Sequence, residues 1–143
     1  MITVDLNNLD LNEIWGENRP EIHNRSTFPL FGAMGTENSA TVYFELDAGD
    51  ALGWHTDSVE ELLLILTGEV EVSVGDETGQ LTSGGIALVP TMAPHNIRNT
   101  GQETAKVLGF FGSDHFVATF DVPFAPVGLQ VIDTRAMAEA AEA

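Results

Sequence analysis

Short stretches of alternating apolar and polar residues recur along the chain, separated by glycines and prolines. In "TVYFELD", Val42, Phe44 and Leu46 fall on one face of an extended strand, because successive side chains point to opposite faces. In "GEVEVSVGDETG", Val70, Val72 and Val74 alternate with Glu69, Glu71 and Ser73, as in a half-buried strand that runs into a turn. "AKVLGFFG" and "HFVATFDV" read as later strands. Gly49, Gly53, Gly68, Gly75, Gly79, Gly84, Gly85, Pro90, Pro94, Gly101, Gly109 and Gly112 punctuate these runs. Short, evenly spaced strands joined by glycine turns predict an all-β sandwich or barrel.

The run Leu62–Leu66 breaks the alternation, since it is apolar on both faces. An antiparallel strand in a small domain normally shows one face to water. This strand is therefore expected either between two layers or at a subunit contact, and a homodimer that covers its outer face is the expectation. Residues 1–35 are less regular, with Pro20 and Pro29, and read as an N-terminal arm or edge strands. Residues 36–128 form the barrel, and 129–143 a helical tail with Asp133 or Thr134 as N-cap, all within one domain.

Charge narrows the function classes. Five basic residues stand against 22 acidic ones, a net charge of −17. Nucleic-acid binding needs a basic footprint, and an anionic membrane surface repels such a chain. The acids are spread along the whole sequence, which reads as a solubility feature. The start has early acids and no apolar core of a secretory signal, so a cytoplasmic chain is expected. There is no cysteine, so any metal is held by nitrogen and oxygen ligands.

The candidate chemistry lies in "GWHTDSVEELLLILTG". His55 and Asp57 are two apart and share a strand face, and Glu61 keeps their parity while Glu60 opposes it. Glu61 is thus the expected inward carboxylate. His95 follows forty residues later, after the Pro90–Pro94 turn, and "HNIRN" puts His95, Ile97 and Asn99 on one face. Antiparallel pairing brings His95 across from His55 and Glu61. Two imidazoles and a carboxylate converging inside a barrel make a facial site for a divalent metal with open positions.

At these residues the chain resembles the cupin family. The first cupin motif is matched by Gly49, five residues, His55, Thr56, Asp57, three residues, Glu61, six residues and Gly68. The second is matched by Gly84, five residues, Pro90, Thr91, Met92, two residues, His95, three residues and Asn99. The resemblance implies a double-stranded β-helix (jelly-roll barrel) and metal ligation by His55, Glu61 and His95. Two positions depart from the pattern: Asp57 replaces the second histidine, and Met92 replaces a glycine. Three readings of Asp57 stay open. It is a fourth ligand; or it orients a ligand or acts as a base on bound water; or His55, Asp57 and His95 form a triad like that of the 2-oxoglutarate oxygenases, for which only Lys106 or Arg98 offers a cation.

The implied cofactor is one divalent metal, Fe(II) or Mn favoured by the carboxylates, with Ni, Cu or Zn as alternatives. The implied function is a metal-dependent enzyme of dioxygenase type acting on a small organic substrate. A binding or sensing module, or a non-oxidative lyase, isomerase or cyclase, is the alternative. Asp57 and His115 are the candidate proton carriers. His23 and Arg25 are expected at a pocket rim or in solvent, Trp54 between layers, and Phe44, Phe110, Phe111 and Phe116 in the core and pocket wall.

Overall fold

A computed structural model describes residues 1–142, and within them twelve strands form a single sheet. In chain order they are β1 (Asn12–Gly16), β2 (Arg19–Thr27), β3 (Ala40–Leu46), β4 (His55–Asp57), β5 (Glu61–Thr67), β6 (Glu69–Val74), β7 (Glu77–Thr82), β8 (Ile86–Val89), β9 (His95–Asn99), β10 (Ala105–Phe111), β11 (Val117–Ala125) and β12 (Leu129–Asp133), followed by helix α1 (Thr134–Glu142). The pairing order is β7-β6-β9-β4-β11-β1-β2-β3-β10-β5-β8, with β12 beside β11. This is the predicted all-β barrel, nearly closed, with its two free ends at β7 and β8.

The N-terminal segment differs from the expected arm or edge. β1 and β2 lie in the middle of the sheet, between β11 and β3. Pro20 is the second residue of β2 and Pro29 follows its end, so the prolines bound the strand instead of breaking it. The tail differs too. Leu129–Asp133 is a strand on β11, and the helix starts only at Thr134. Asp133 caps it, its Oδ1 accepting from the backbone N–H of Arg135 at 3.0 Å and of Ala136 at 3.3 Å. Ala143, the last residue of the expected helical tail, lies outside the described residues.

Two apolar clusters fill the barrel. One packs Phe44, Leu46, Leu63, Ile65, Val70 and Ile97, with neighbours from β6, β8 and β10. The other gathers Ile22, Phe31, Phe111, Phe116, Phe120 and Phe124. Fully burying each such side chain stabilises the fold by about 1.5–3 kcal/mol. The register Phe111↔Glu61 puts the start of β5 where the two clusters meet, and this fixes the place of the site.

The apolar run of β5 is not sandwiched between layers. Leu63 and Ile65 point inward, while Leu62 on the outer face is exposed beside Leu88 of β8 and Phe110 of β10. Phe110 therefore leaves the expected core, because its parity opposes that of Gly109 and Phe111. Trp54 is likewise 38% exposed and not packed between layers. Gly109, expected to punctuate a turn, sits inside β10.

Candidate metal centre

β4 holds His55 and Asp57 on its inward face, and its partner β9 places His95 directly opposite His55. Glu61 opens β5 on the same inward parity. All four side chains are buried, whereas Glu60 is exposed, as the alternation predicted. Both histidines are oriented in the same way. His55 Nδ1 bonds the carbonyl of Gly53 at 2.8 Å, and His95 Nδ1 bonds that of Ala93 at 2.9 Å. A carbonyl only accepts, so Nδ1 carries the proton in the neutral ring and the Nε2 lone pair faces the site. His55 is further held by stacking on Phe120, at 4.5 Å between ring centroids.

The inward atoms converge. His95 Nε2 lies 3.1 Å from Asp57 Oδ2 and 3.4 Å from Glu61 Oε1, and His55 Nε2 lies 3.8 Å from Asp57 Oδ2. Ligand atoms of His55, Asp57 and His95 all fall within 4.8 Å of one another. Glu61 joins this group through His95. Asp57 Oδ2 and His95 Nε2 are nonetheless buried without a well-formed hydrogen bond. Close, buried, misaligned donors and acceptors are costly on their own and fit a shared cation. The residues therefore suit a divalent metal at His55, Asp57 and His95, with the Glu61 carboxylate beside His95.

Burial decides how these groups titrate without metal. It pushes Glu61 up to about 8, with the facing Asp57 adding to the rise. Burial and the neighbouring His95 pull His55 down to about 4. Burial alone favours a neutral His95, but the facing Asp57 and Glu61 outweigh it and raise its pKa to about 10. His55 is thus already neutral at physiological pH, while metal must displace the protons held by His95 and Glu61. Both of those values lie above the ordinary ones, so proton competition weakens as the pH rises towards them. Metal affinity is expected to increase at least tenfold between about pH 6 and about pH 8, with protons released on binding. Calorimetric titration with Mn(II) in buffers of different protonation enthalpy measures both; a flat affinity over that range contradicts the arrangement.

A cavity of about 50 Å³ adjoins His55, Asp57 and Glu61. Six phenylalanines line it, Phe28, Phe44, Phe111, Phe116, Phe120 and Phe124, with aliphatic neighbours and the polar Asn24 and Ser26. Among the described residues, no lysine or arginine lines it. Arg98 is exposed beside Glu71, and Lys106 has the outward parity of β10. The cation required by the oxoglutarate reading is therefore not at the site.

His115 is not brought to the cavity. It lies in the β10–β11 connection, its Nδ1 3.1 Å from Thr134 Oγ1 and its ring edge-on to Phe31. Nor are His23 and Arg25 at a rim or in free solution. His23 is buried on the outer side of β2, with Nδ1 2.6 Å from Asp50 and Nε2 3.0 Å from Glu13, and it stacks on Trp15. Arg25 pairs in a fork with Asp47. This knot groups His23, Asp47 and Asp50 in space, but ring nitrogens and guanidinium already satisfy the carboxylates, so it reads as an ion-pair network.

The sequence reading missed three contributors: Phe120 behind His55, Asn24 in the cavity wall, and Gly109. A Cβ at Gly109 would run into the Glu61 carboxylate. The alternation Ile22, Asn24, Ser26, Phe28 was the available signal for Asn24, obscured by the flanking prolines.

The cupin-domain family profile matches residues 42–111, the span that carries all four candidate ligands. No curated protein matches the sequence. Among solved structures, a candidate sugar phosphate isomerase from Acidithiobacillus ferrooxidans superposes with a TM-score of 0.66 at 16% identity, over 94% of this chain and 92% of that one. The Schizosaccharomyces pombe Cnp3 cupin domain gives 0.63 at 21% identity, over 79% and 74%. Oxalate decarboxylase from Lactobacillus farciminis gives 0.65 at 18% identity over 68% of this chain, which spans only 31% of that larger one. At these identities the likeness is one of fold. Profile, barrel and converging side chains agree: residues 42–111 of this chain belong to a cupin domain.

Proposed function

We propose that this chain is a metal-dependent cupin enzyme acting on a small organic substrate, with dioxygenase-type chemistry. The observation that carries the reading is the buried cluster of His55, Asp57, His95 and Glu61, of which His55, Asp57 and Glu61 line an apolar, phenylalanine-rich cavity. A bound Fe(II) or Mn ion would supply open coordination positions and redox capacity there. The chain's own residues do the rest. The phenylalanines exclude water, the Gly53 and Ala93 carbonyls fix the imidazoles, and Asp57, the departure from the family pattern, is placed to ligate or to take a proton at Oδ2. The absence of a cation along the cavity, among the described residues, argues against small dianions or sugar phosphates as substrates.

The test begins with metal analysis of the purified chain. Oxygen uptake by the Fe(II)- or Mn-loaded protein is then measured against small phenols, thiols and diketones. Substrate-dependent uptake is expected, and it is expected to vanish on metal removal. A tightly held redox-inert ion with no turnover on any member would instead favour a binding module.

A further inference from the structure

The cavity has two sets of polar lining residues, and only one of them belongs to the metal cluster. Asn24 has the inward parity of β2 and lines the cavity together with Ser26. It is 1% exposed, and its Oδ1 has no hydrogen-bond partner in the protein. Most buried amides in native structures are paired, because an unpaired one weakens the fold. Asn24 also sits far from the ligands in the sheet order. β2 is three strands from β4 in one direction and three from β5 in the other, so Asn24 belongs to a part of the sheet that carries none of the ligands. The rest of the lining is mainly phenylalanine and aliphatic side chains.

We propose that Asn24 is a specificity-determining residue, which hydrogen-bonds the neutral polar end of a small molecule whose other end lies at His55, Asp57, Glu61 and His95. The inference rests on the metal-site reading above and names the class of ligand for that site. The amide offers an acceptor and two donors and carries no charge, so it suits a hydroxyl or carbonyl group. A carboxylate or phosphate at this end would face no positive charge. The cavity of about 50 Å³ limits the ligand to roughly half a dozen non-hydrogen atoms. The class is thus uncharged, oxygen-bearing molecules with polar groups at both ends and a short apolar middle. Retaining an unpaired amide at a buried position has a functional reason if the partner is a ligand, because a site built this way rejects analogues that lack the matching group.

Matched probes test this without relying on turnover. Zn(II)-loaded protein is titrated calorimetrically with acetohydroxamic and propanohydroxamic acids and with their hydroxyl-terminated counterparts, glycolohydroxamic and 3-hydroxypropanohydroxamic acids. The hydroxamate addresses the metal, and the terminal hydroxyl addresses Asn24. The unsubstituted chain is expected to favour at least one hydroxylated probe over its methyl counterpart by about fivefold. Asn24→Leu, of similar volume, is expected to keep its zinc, to unfold at no lower temperature than the parent chain, and to lose the preference. A preference that survives in Asn24→Leu, or that is missing from the parent chain, overturns the proposal. If Asn24→Leu fails to fold, Asn24→Ala carries the same comparison. Failure of the parent chain to take up zinc overturns this inference together with the metal reading, whereas zinc uptake without discrimination overturns this inference alone.

Discussion

His95→Ala is expected to abolish stable metal binding and to destabilise the metal-free chain by about 3 kcal/mol at neutral pH. His95 is the hub of the cluster: its Nε2 faces both Asp57 and Glu61, while His55 approaches only Asp57, at a longer distance. Without metal, the raised pKa of His95 makes it the cation that offsets the buried carboxylates. Removing it leaves Asp57 buried without the imidazole that faces it at 3.1 Å, and breaking a buried pair from one side is more costly than never having it. Glu61, pushed up to about 8, already holds a proton at neutral pH, and this limits the loss. Elemental analysis and denaturant unfolding measure the two effects separately. Glu61→Ala is expected to lower metal content sharply, and Glu60→Ala to leave it unchanged, since Glu60 is exposed. Equal metal loss from Glu60→Ala would sink the assignment of facing.

The site was legible where parity and spacing act locally. Counting by twos along "HTDSVEE" separates Glu61 from Glu60 because β4 and β5 keep one inward parity across the bend between them. His95 was legible because the Pro90–Pro94 turn announces β9. What was not legible depends on which strands become neighbours. Asn24 and Phe120 reach the cavity because β1, β2 and β11 lie side by side, and no local pattern states that pairing. His115 shows the converse error. A histidine next to an apolar run looks available to a barrel interior, but β11 starts only at Val117, leaving His115 in the connection against Phe31 and Thr134.

The two departures from the family pattern turn out to touch. Met92 stands where the motif has glycine and adopts φ of 63°, the left-handed conformation that glycine enters freely and a side chain enters at a cost of about 1–2 kcal/mol. Its backbone N–H donates to the carbonyl of Asp57 at 2.9 Å, tying the Pro90–Pro94 turn to the end of β4. The turn thus holds at Met92 a left-handed backbone that glycine would adopt freely, and the hydrogen bond to Asp57 helps to hold it there.

Gly109→Ala is expected to lower metal content and to destabilise the chain by about 1–3 kcal/mol, although it adds a single methyl group to a strand. In β10, Gly109 pairs with Val42 of β3 on one side and Leu63 of β5 on the other. A Cβ built on it meets Val42 Cγ1 at 2.8 Å and overlaps the carboxylate of Glu61. The backbone on both sides is fixed by the sheet, so the Val42 side chain and the Glu61 carboxylate must give way, and the carboxylate is displaced from its place beside His95. Instability alone would not establish this, because overpacking against Val42 also destabilises. The double variant separates the two causes. Once Glu61→Ala has removed the carboxylate, the added methyl no longer meets it, and the penalty of Gly109→Ala should shrink by about 1 kcal/mol or more, a coupling that sites without direct contact do not show. Additive effects in that cycle would place the strain on Val42 and leave Glu61 undisturbed. A measured coupling would identify the missing side chain at position 109 as the space in which a metal-binding carboxylate is held.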